Sequence, residues 1–498
     1  MSSSEASLTG QALLDKIRDD FIGLNTAYKN ARGEISPRIY LDSTASSLML
    51  RPAYKVISDF MAHYSNTHSK LHHSAHISTA AYEWAHKRVL DFLGAPSDIY
   101  TCFFTGAGTT AGINRMARVF RDFNLDKKIA IISIMEHHSN DLPHRKHMHK
   151  VIHIPVEGLE ESHMCISMTR LENTLKENKG NVNYVSITAV SNVTGIINPI
   201  HNIARLAHKY GALIMIDGAQ SVAHLPTTMF HPDDPDACID ALVFSGHKTY
   251  TPGSPGVVVA RKDLLLGIEP EEVGGGMVDR VLEDRYLVKT KFPDREEAGT
   301  PNIPGAIGLA ATIEVLGRIG MELLMKAEDE VMVKALNEMA AIPELIVYGG
   351  TDHKACPRAA SISFNIRGMD HGLVAAILND YFNIAVRNQC FCAHPYVKEM
   401  MVKDLEKDFG AIDFGNMSPE FMRKAGMVRA SFGLYSKQKD VEILISAIRQ
   451  IIAEADDFAQ YYVINEENDY QHVSFRPRHA EIFNIQSSLD QYLAEAND

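Results

Sequence analysis

The chain has 498 residues and a formal net charge of −13, an acidic balance that excludes a surface built mainly to hold nucleic acid. Hydrophobic residues make up 45% and charged residues 22%, the proportions of a globular protein large enough for two or three domains. No apolar run approaches a membrane span, the N-terminus lacks a signal-peptide core, and the six cysteines are too scattered for a disulfide framework. A reduced, cytoplasmic protein is expected, without a membrane partner. The histidines show no metal-ligand spacing, so no metal is expected either.

In chain order, residues 1–38 read as a helical arm, with Leu13, Leu14, Ile17, Phe21, Ile22 and Leu24 at roughly helical spacing before a Gly/Pro break. Tyr40-Leu41-Asp42-Ser43 opens the ordered core. A histidine-rich stretch from His63 to His76 follows, then an amphipathic helix near residues 80–93. From Tyr100 apolar strands alternate with helices. Strands are expected at 101–104, 129–134, 184–190, 212–216, 241–244 and 256–260, with helices such as 108–121 and 201–210 between them. This alternation predicts an α/β domain with a largely parallel sheet, whose ligands bind beyond the carboxyl ends of the strands.

The unusual residues fall at those ends. A turn rich in small and hydroxyl residues, Thr105 to Gly112, includes Thr109 and Thr110 at a helix start, where backbone N–H groups and hydroxyls hold phosphate. Glu136-His137-His138, Ser191-Asn192, Asp217-Gly218-Ala219-Gln220 and Ser245-Gly246-His247-Lys248 follow later strands. Taken singly, each has an ordinary structural reading as a cap, a turn former or a satisfied polar residue. Together they offer a phosphate cradle, an aromatic stacker, a carboxylate, an amide and an amine. A lysine at the mouth of a buried strand has its charged form disfavoured, which makes it a usable nucleophile and base. Pyridoxal phosphate needs such a lysine and an acidic partner for its ring nitrogen.

IDGAQS with SGHK downstream resembles the class V aminotransferase group of fold type I pyridoxal-phosphate enzymes, and most nearly the cysteine desulfurases and selenocysteine lyases. The similarity runs from about Tyr40 to about Ile452. The resemblance implies a large domain with a mostly parallel sheet and a smaller C-terminal α/β domain. It makes Lys248 the Schiff-base lysine, Asp217 the partner of the pyridine nitrogen and Gln220 that of the ring hydroxyl. His137 stacks on the ring and assists proton transfer. Thr109, Thr110, Ser245 and His247 hold the phosphate, and Asn192 contacts substrate or cofactor. Thr300, in EAGTPN, reaches the phosphate of a neighbouring subunit, which implies a homodimer. Arg429 clamps the substrate carboxylate, and His72 lies near the substrate.

Residues 303 onward read as a second unit, with a long helix over IGLAATIEVLGRIG, a strand at SISFNIRG and a helix at GLVAAILND. The expected division is an arm at 1–38, a large domain at 39–300, a small domain at 301–455 and an extension at 456–498. In the stretch Arg387 to His394 the desulfurase family has an arginine, a glycine two residues on and a catalytic Cys-Ala. Arg387 and Cys392-Ala393 fit that register, whereas Gln389 stands where glycine is usual, so a different loop backbone is expected. Cys390-Phe391-Cys392 also resembles molybdenum-cofactor sulfurases, without their following Asn-Pro-Gly. The implied reaction takes sulfur from L-cysteine onto Cys392, giving alanine and a persulfide for an acceptor protein. Alternatives are an aminotransferase or C–S lyase acting on another amino acid, selenocysteine included, and a cofactor-binding scaffold without turnover. The charged stretch 396–427 reads as a lid or docking surface, and the tail carries no readable role.

Overall fold

The computed structural model describes residues 8–69, 71–157, 165–409 and 418–495. Its centre is a seven-stranded sheet: β1 (Tyr100–Thr105), β2 (Ile129–Ser133), β3 (Lys150–Ile154), β4 (Val182–Thr188), β5 (Leu213–Asp217), β6 (Ala241–Ser245) and β7 (Gly256–Arg261). The spatial order is β1-β7-β6-β5-β4-β2-β3. The run from β6 to β3 is parallel, and β7 lies antiparallel to both β6 and β1. Every residue of β2, β4 and β6 is buried, as both faces of a helix-covered sheet require. This explains why these strands read as continuous apolar runs. β3 escaped the sequence reading because it is the edge strand: KVIHI is half exposed and carries too weak an apolar signal.

A second, antiparallel sheet takes β8 (Leu345–Val347), β9 (Ser361–Ile366), β10 (Arg387–Gln389) and β11 (Met427–Ser431) in the order β8-β9-β11-β10. Its core is separate from that of the large sheet. The two units exchange segments. Ile39–Tyr40 pairs with Ile384–Ala385 beside the small sheet. The helix Ile303–Ile319 packs instead against the helices Arg51–Met61 and His73–Phe92 on the large-sheet side.

The expected N-terminal helix is shorter than its apolar spacing indicated. It spans Gly10–Ile17 and stops before Phe21. There the backbone turns to pair with the main body: Ile22 N–H bonds Met49 O (2.9 Å) and Arg51 N–H bonds Asp20 O (3.0 Å). Tertiary hydrogen bonds outweigh the weak preference of a short helix. Leu14, Ile17 and Phe21 are buried with Tyr250 and Tyr435, and the Phe21 ring lies 5.4 Å from Tyr250 and 4.9 Å from Tyr435.

Beyond the last small-domain helix, Gln438–Ala453, the strands Tyr462–Ile464 and Tyr470–His472 form a hairpin against the helix His371–Phe382. Tyr462 OH donates to Asp380 (3.0 Å) and Tyr470 OH to Asp370 (2.6 Å). Of the stretch 396–427, the first part continues the helix His394–Phe409, and residues 410–417 lie outside the described residues. Among the described residues no helix is long and apolar enough to cross a membrane.

Candidate active site

The turns after β1, β2, β4, β5 and β6 meet around a cavity of about 490 Å³. Thr109, Thr110, His137, Asn192, Asp217, Gln220, Ser245, His247 and Lys248 all line it, so the sheet topology gathers nine of the sequence-derived residues in one place. At one end the helix Gly108–Phe123 points its N-terminus into the turn. Thr109 N–H donates to Ser245 Oγ (2.7 Å), and the two hydroxyls bond each other at 2.7 Å. The turn is tight because it lacks side chains. Gly108 has φ +57°, and a Cβ there would meet Ser245 Oγ at 2.6 Å; a Cβ on Gly256 would meet Gly108 O at 2.3 Å. A helix N-terminus ringed by hydroxyls is a cradle for an anion of phosphate size.

Opposite the cradle, Asp217 ends β5, with Oδ1 accepting from Ala219 N–H (2.9 Å). Burial raises its pKa, opposed by that hydrogen bond and by the charge of Lys248. Lys248 closes the turn Gly246–Lys248 after β6 and lines the cavity. Burial lowers its pKa, the carboxylate of Asp217 opposes this, and Arg429 adds to it. The loop is pinned by Ser47 N–H to His247 O (3.0 Å) and by Tyr250 N–H to Ser47 Oγ (2.7 Å). Burial and then Lys248 hold the His137 imidazole down to about 3, so its ring is neutral. Ser139 links His137 Nδ1 (3.0 Å) to Thr110 Oγ1 (2.7 Å), tying the ring to the cradle. His247 is likewise held neutral by burial, near 4. Gln220 is anchored through Nε2 to Thr44 O (2.8 Å).

The small sheet supplies the cations. Arg387 and Arg429 are cross-strand partners on β10 and β11. Arg429 is 3% exposed; its Nη1 donates to Asn192 O (2.8 Å), its Nη2 reaches Asp42 Oδ1 (3.3 Å), and the Phe391 ring lies 4.7 Å from the guanidinium carbon. Its Nε has no partner among the described residues. Burial brings its pKa down to about 10. Phe391 is in turn held by Asn192 Nδ2 on its carbonyl oxygen (2.7 Å).

Cys392 is exposed, just before the helix His394–Phe409, and its carbonyl oxygen accepts from His138 N–H (2.7 Å). It is close enough to Lys248 and Arg429 for its charge to register on both. Gln389, Phe391 and Cys392 all have positive φ, at 86°, 51° and 55°. The glutamine thus takes the left-handed backbone that glycine favours, at the cost of strain. Gln389→Gly is expected to stabilise the protein by about 1 kcal/mol, after the added freedom of the unfolded glycine is subtracted, as read from urea midpoints. Cys390 points the other way. Its thiol reaches Ala425 O (3.1 Å), and burial pushes its pKa up to about 11.

Two expected residues lie elsewhere. His72 is exposed and caps the helix His73–Phe92 by accepting from Ala75 N–H (3.2 Å). Thr300 is exposed, bonds Asn66 Nδ2 (2.9 Å) and lines a separate cavity with His68 and Gly299. Neither touches the Lys248 cavity of its own chain.

Residues without an assigned role in the sequence reading complete the site. Asp42 partners Arg429, Phe391 covers it, and Glu136 lies beneath the cavity floor. Glu136 accepts from Ser133 Oγ (2.6 Å), Asn140 Nδ2 (2.6 Å) and Thr188 N–H (2.9 Å). Burial raises it to about 8, with Asp217 contributing. Asn140 also accepts from His144 Nε2 (3.0 Å), and burial holds His144 neutral, near 3.

These groups set an acid–base stability profile. Native His137 and His144 refuse protons that the unfolded chain binds below pH 6.5, so they cost stability as pH falls from 6.5 toward 3. His144 alone contributes on the order of 4 kcal/mol. Native Glu136 keeps a proton that the unfolded chain releases above about 4.5, so its stabilisation is lost as pH rises through about 8. Two histidines outweigh one glutamate below pH 6.5. Urea midpoints should fall as the pH is lowered from 6.5, and Glu136→Gln should lessen the decline toward pH 8.

Comparison with known proteins decides the family. The aminotransferase class-V model matches residues 39–444. The chain belongs to the class V aminotransferase family. This class V chain is 32% identical over 446 residues to a cysteine desulfurase of Escherichia coli O127:H6, covering 88% of this chain and 98% of that one. It is 33% identical to a probable cysteine desulfurase of Halalkalibacterium halodurans, covering 83% and 93%. Among solved structures it is similar to the apo cysteine desulfurase of Thermococcus onnurineus NA1, with TM-score 0.73, 28% identity and coverage of 90% and 99%. It is also similar to an E. coli cysteine desulfurase in an S-sulfonic acid form, with TM-score 0.70, 25% identity and coverage of 88% and 98%. Class V enzymes depend on pyridoxal phosphate, and this cavity fits that group: a hydroxyl-ringed cradle that a single Cβ would fill, an amine held toward neutrality and a buried carboxylate.

Proposed function

We propose that this class V enzyme is a cysteine desulfurase that moves the sulfur of L-cysteine onto Cys392 and releases L-alanine. The observation that carries the reading is the exposed Cys392, held by a strained loop between the Lys248 cavity and the Arg387–Arg429 pair. The names of its relatives agree.

In this reading Thr109, Thr110, Ser245 and His247 hold the cofactor phosphate, Asp217 faces the ring nitrogen, Gln220 the ring hydroxyl and His137 the ring face. Bound pyridoxal phosphate supplies an electron sink for the substrate α-carbon. Arg429, with its unpartnered Nε, and Arg387 take the substrate carboxylate, and Asn192 fixes Arg429 from behind. Lys248, whose burial lowers its pKa, takes the proton from Cα. The Cys392 thiolate then bonds the substrate sulfur as the carbon–sulfur bond breaks; the carbon skeleton keeps that electron pair, gains a proton and leaves as alanine. The persulfide left on Cys392 stands at the surface, where a sulfur-acceptor protein reaches it. Thr300 and His72, exposed and away from their own cavity, suit a homodimer in which each serves the neighbouring site. The direct test is alanine release from L-cysteine by the purified protein with a thiol reductant. No alanine from cysteine, with turnover of another amino acid, would overturn the substrate assignment.

A further inference from the structure

The chain continues past the part that matches the family, and its last strands return to the supports of the Cys392 loop. The class-V match ends at residue 444, and the hairpin of Tyr462–Ile464 with Tyr470–His472 lies beyond it. The turn of that hairpin is closed by its own bonds. Asn465 Oδ1 accepts from Glu467 N–H (3.0 Å) and Asp469 N–H (2.9 Å), and Asn468 N–H bonds Asn465 O (3.1 Å). Asn468 sits at the tip with φ +68°, a left-handed backbone that asparagine tolerates. Its side chain leaves the hairpin. Nδ2 donates to Pro419 O (3.0 Å), and Oδ1 accepts from Arg423 Nη1. One amide thus holds two points of the helix Pro419–Lys424.

That helix leads straight into β11. Gly426 N–H bonds Lys424 O (3.0 Å), and Met427 pairs across to Gln389. A Cβ on Gly426 would collide with the His371 ring and meet Gln389 Cα at 2.9 Å, so the chain here is wedged between the helix His371–Phe382 and the start of the Cys392 loop. Phe421 and Met427 are buried in the same apolar cluster as Phe391 and Tyr396. The second strand of the hairpin acts from the other side. Tyr470 OH is fixed on Asp370, immediately before the helix His371–Phe382 (2.6 Å). A Cβ on Gly372 would meet the Tyr470 ring at 3.2 Å and Asn388 Nδ2 at 3.6 Å, and Asn388 precedes Gln389 on β10. The hairpin therefore braces two supports of one loop. Gln389, Phe391 and Cys392 hold the left-handed backbone that such residues keep only where their surroundings over-determine it.

We propose that the hairpin Tyr462–His472 is a clamp on the Cys392 loop, and that Asn468 and Tyr470 are positioning residues for sulfur transfer. The inference rests on the reading of Cys392 as the sulfur acceptor. With the clamp released, residues 389–392 relax toward ordinary backbone and the Cys392 sulfur leaves its place beside the substrate sulfur. Cofactor and carboxylate binding are spared. Neither Asn468 nor Tyr470 lines the Lys248 cavity, and Arg429 is held in β11 by strands on both sides, opposite Ser363 of β9 and Arg387 of β10.

The test compares the full-length, cofactor-loaded wild type with Asn468→Gly and Tyr470→Phe. Glycine keeps the left-handed turn and removes only the amide; phenylalanine keeps the ring and removes only the hydroxyl. Asn468→Gly is expected to lower kcat for alanine formation from L-cysteine by about tenfold and Tyr470→Phe by about threefold, with KM within about twofold and the cofactor absorbance unchanged. Without substrate, amide hydrogen exchange in the peptide covering residues 387–393 should quicken about fivefold or more in Asn468→Gly. Wild-type exchange and wild-type kcat in both variants would overturn the proposal, and so would a fall in kcat with the exchange of 387–393 unchanged. Loss of cofactor absorbance in step with kcat would also overturn it, because the defect would then lie at the cradle. A wild type that makes no alanine from cysteine would sink the substrate assignment alone; the exchange of 387–393 would still decide whether the hairpin clamps the loop.

Discussion

Lys248→Ala is expected to lower alanine formation from L-cysteine by roughly 10⁴-fold or more and to remove the visible absorbance of bound cofactor from the purified protein. The amine is assigned two tasks, covalent attachment and removal of the Cα proton, and no nearby group replaces either. His137 is neutral, but its proton affinity is too low for an efficient base near neutral pH. Asp217 is buried and committed through Oδ1 to Ala219. Lys248→Arg should fail as badly, because a guanidinium stays protonated and cannot act as the nucleophile. Stability should hardly suffer, since removing an amine disfavoured as a cation lifts a desolvation cost. An unchanged absorbance spectrum in Lys248→Ala, with turnover intact, would place the reactive amine elsewhere.

Cys392→Ala should retain the cofactor absorbance but lose alanine formation by roughly 10³-fold, about 4 kcal/mol of transition-state stabilisation. The side chain is exposed and buries no core surface, so a lost activity cannot be charged to unfolding. Cys390→Ala is the internal contrast. Its thiol points to Ala425 O and is held protonated by burial, so its loss should leave turnover within about threefold. Trapping the product with a thiol-reactive probe after a single turnover should label Cys392 in the wild type. Equal alanine release from Cys392→Ala and wild type would leave the cofactor site standing and remove the persulfide step.

How much of this was legible beforehand depended on what each residue does for the chain. The strands of the large sheet announce themselves because both faces are buried, and β4 and β6 leave no polar position exposed. The turns around the Lys248 cavity follow from that placement, since strand ends and helix starts are where Asp217, Lys248 and Thr109 lie. The edge strand β3 and the early end of the N-terminal helix were hidden, because long-range hydrogen bonds decide them rather than local pattern. Asp42 and Phe391 were hidden for a related reason. Their value lies in reaching Arg429 from distant segments, and nothing in YLDS or CFC marks such a contact. Gln389 was legible only in part: its register beside the cysteines marks the loop, but only the fold shows that the glutamine itself takes a left-handed backbone.

The antiparallel insertion of β7 between β1 and β6 has a consequence for biosynthesis. Thr105, at the edge of the cradle, pairs with Gly256, and Gly256 lies directly beneath Gly108. A nascent chain can therefore have the β1 turn, its hydroxyls and its helix while still lacking the floor that fixes them. The floor arrives only when β7, folding back on its neighbour β6, pairs with the much earlier β1, a non-local closure of the kind that slows folding. Arg429 and Asp42 meet later still, since the strand β11 follows β7 in the chain. A chain released before β7 should therefore lack the closed cradle and should not retain the coenzyme.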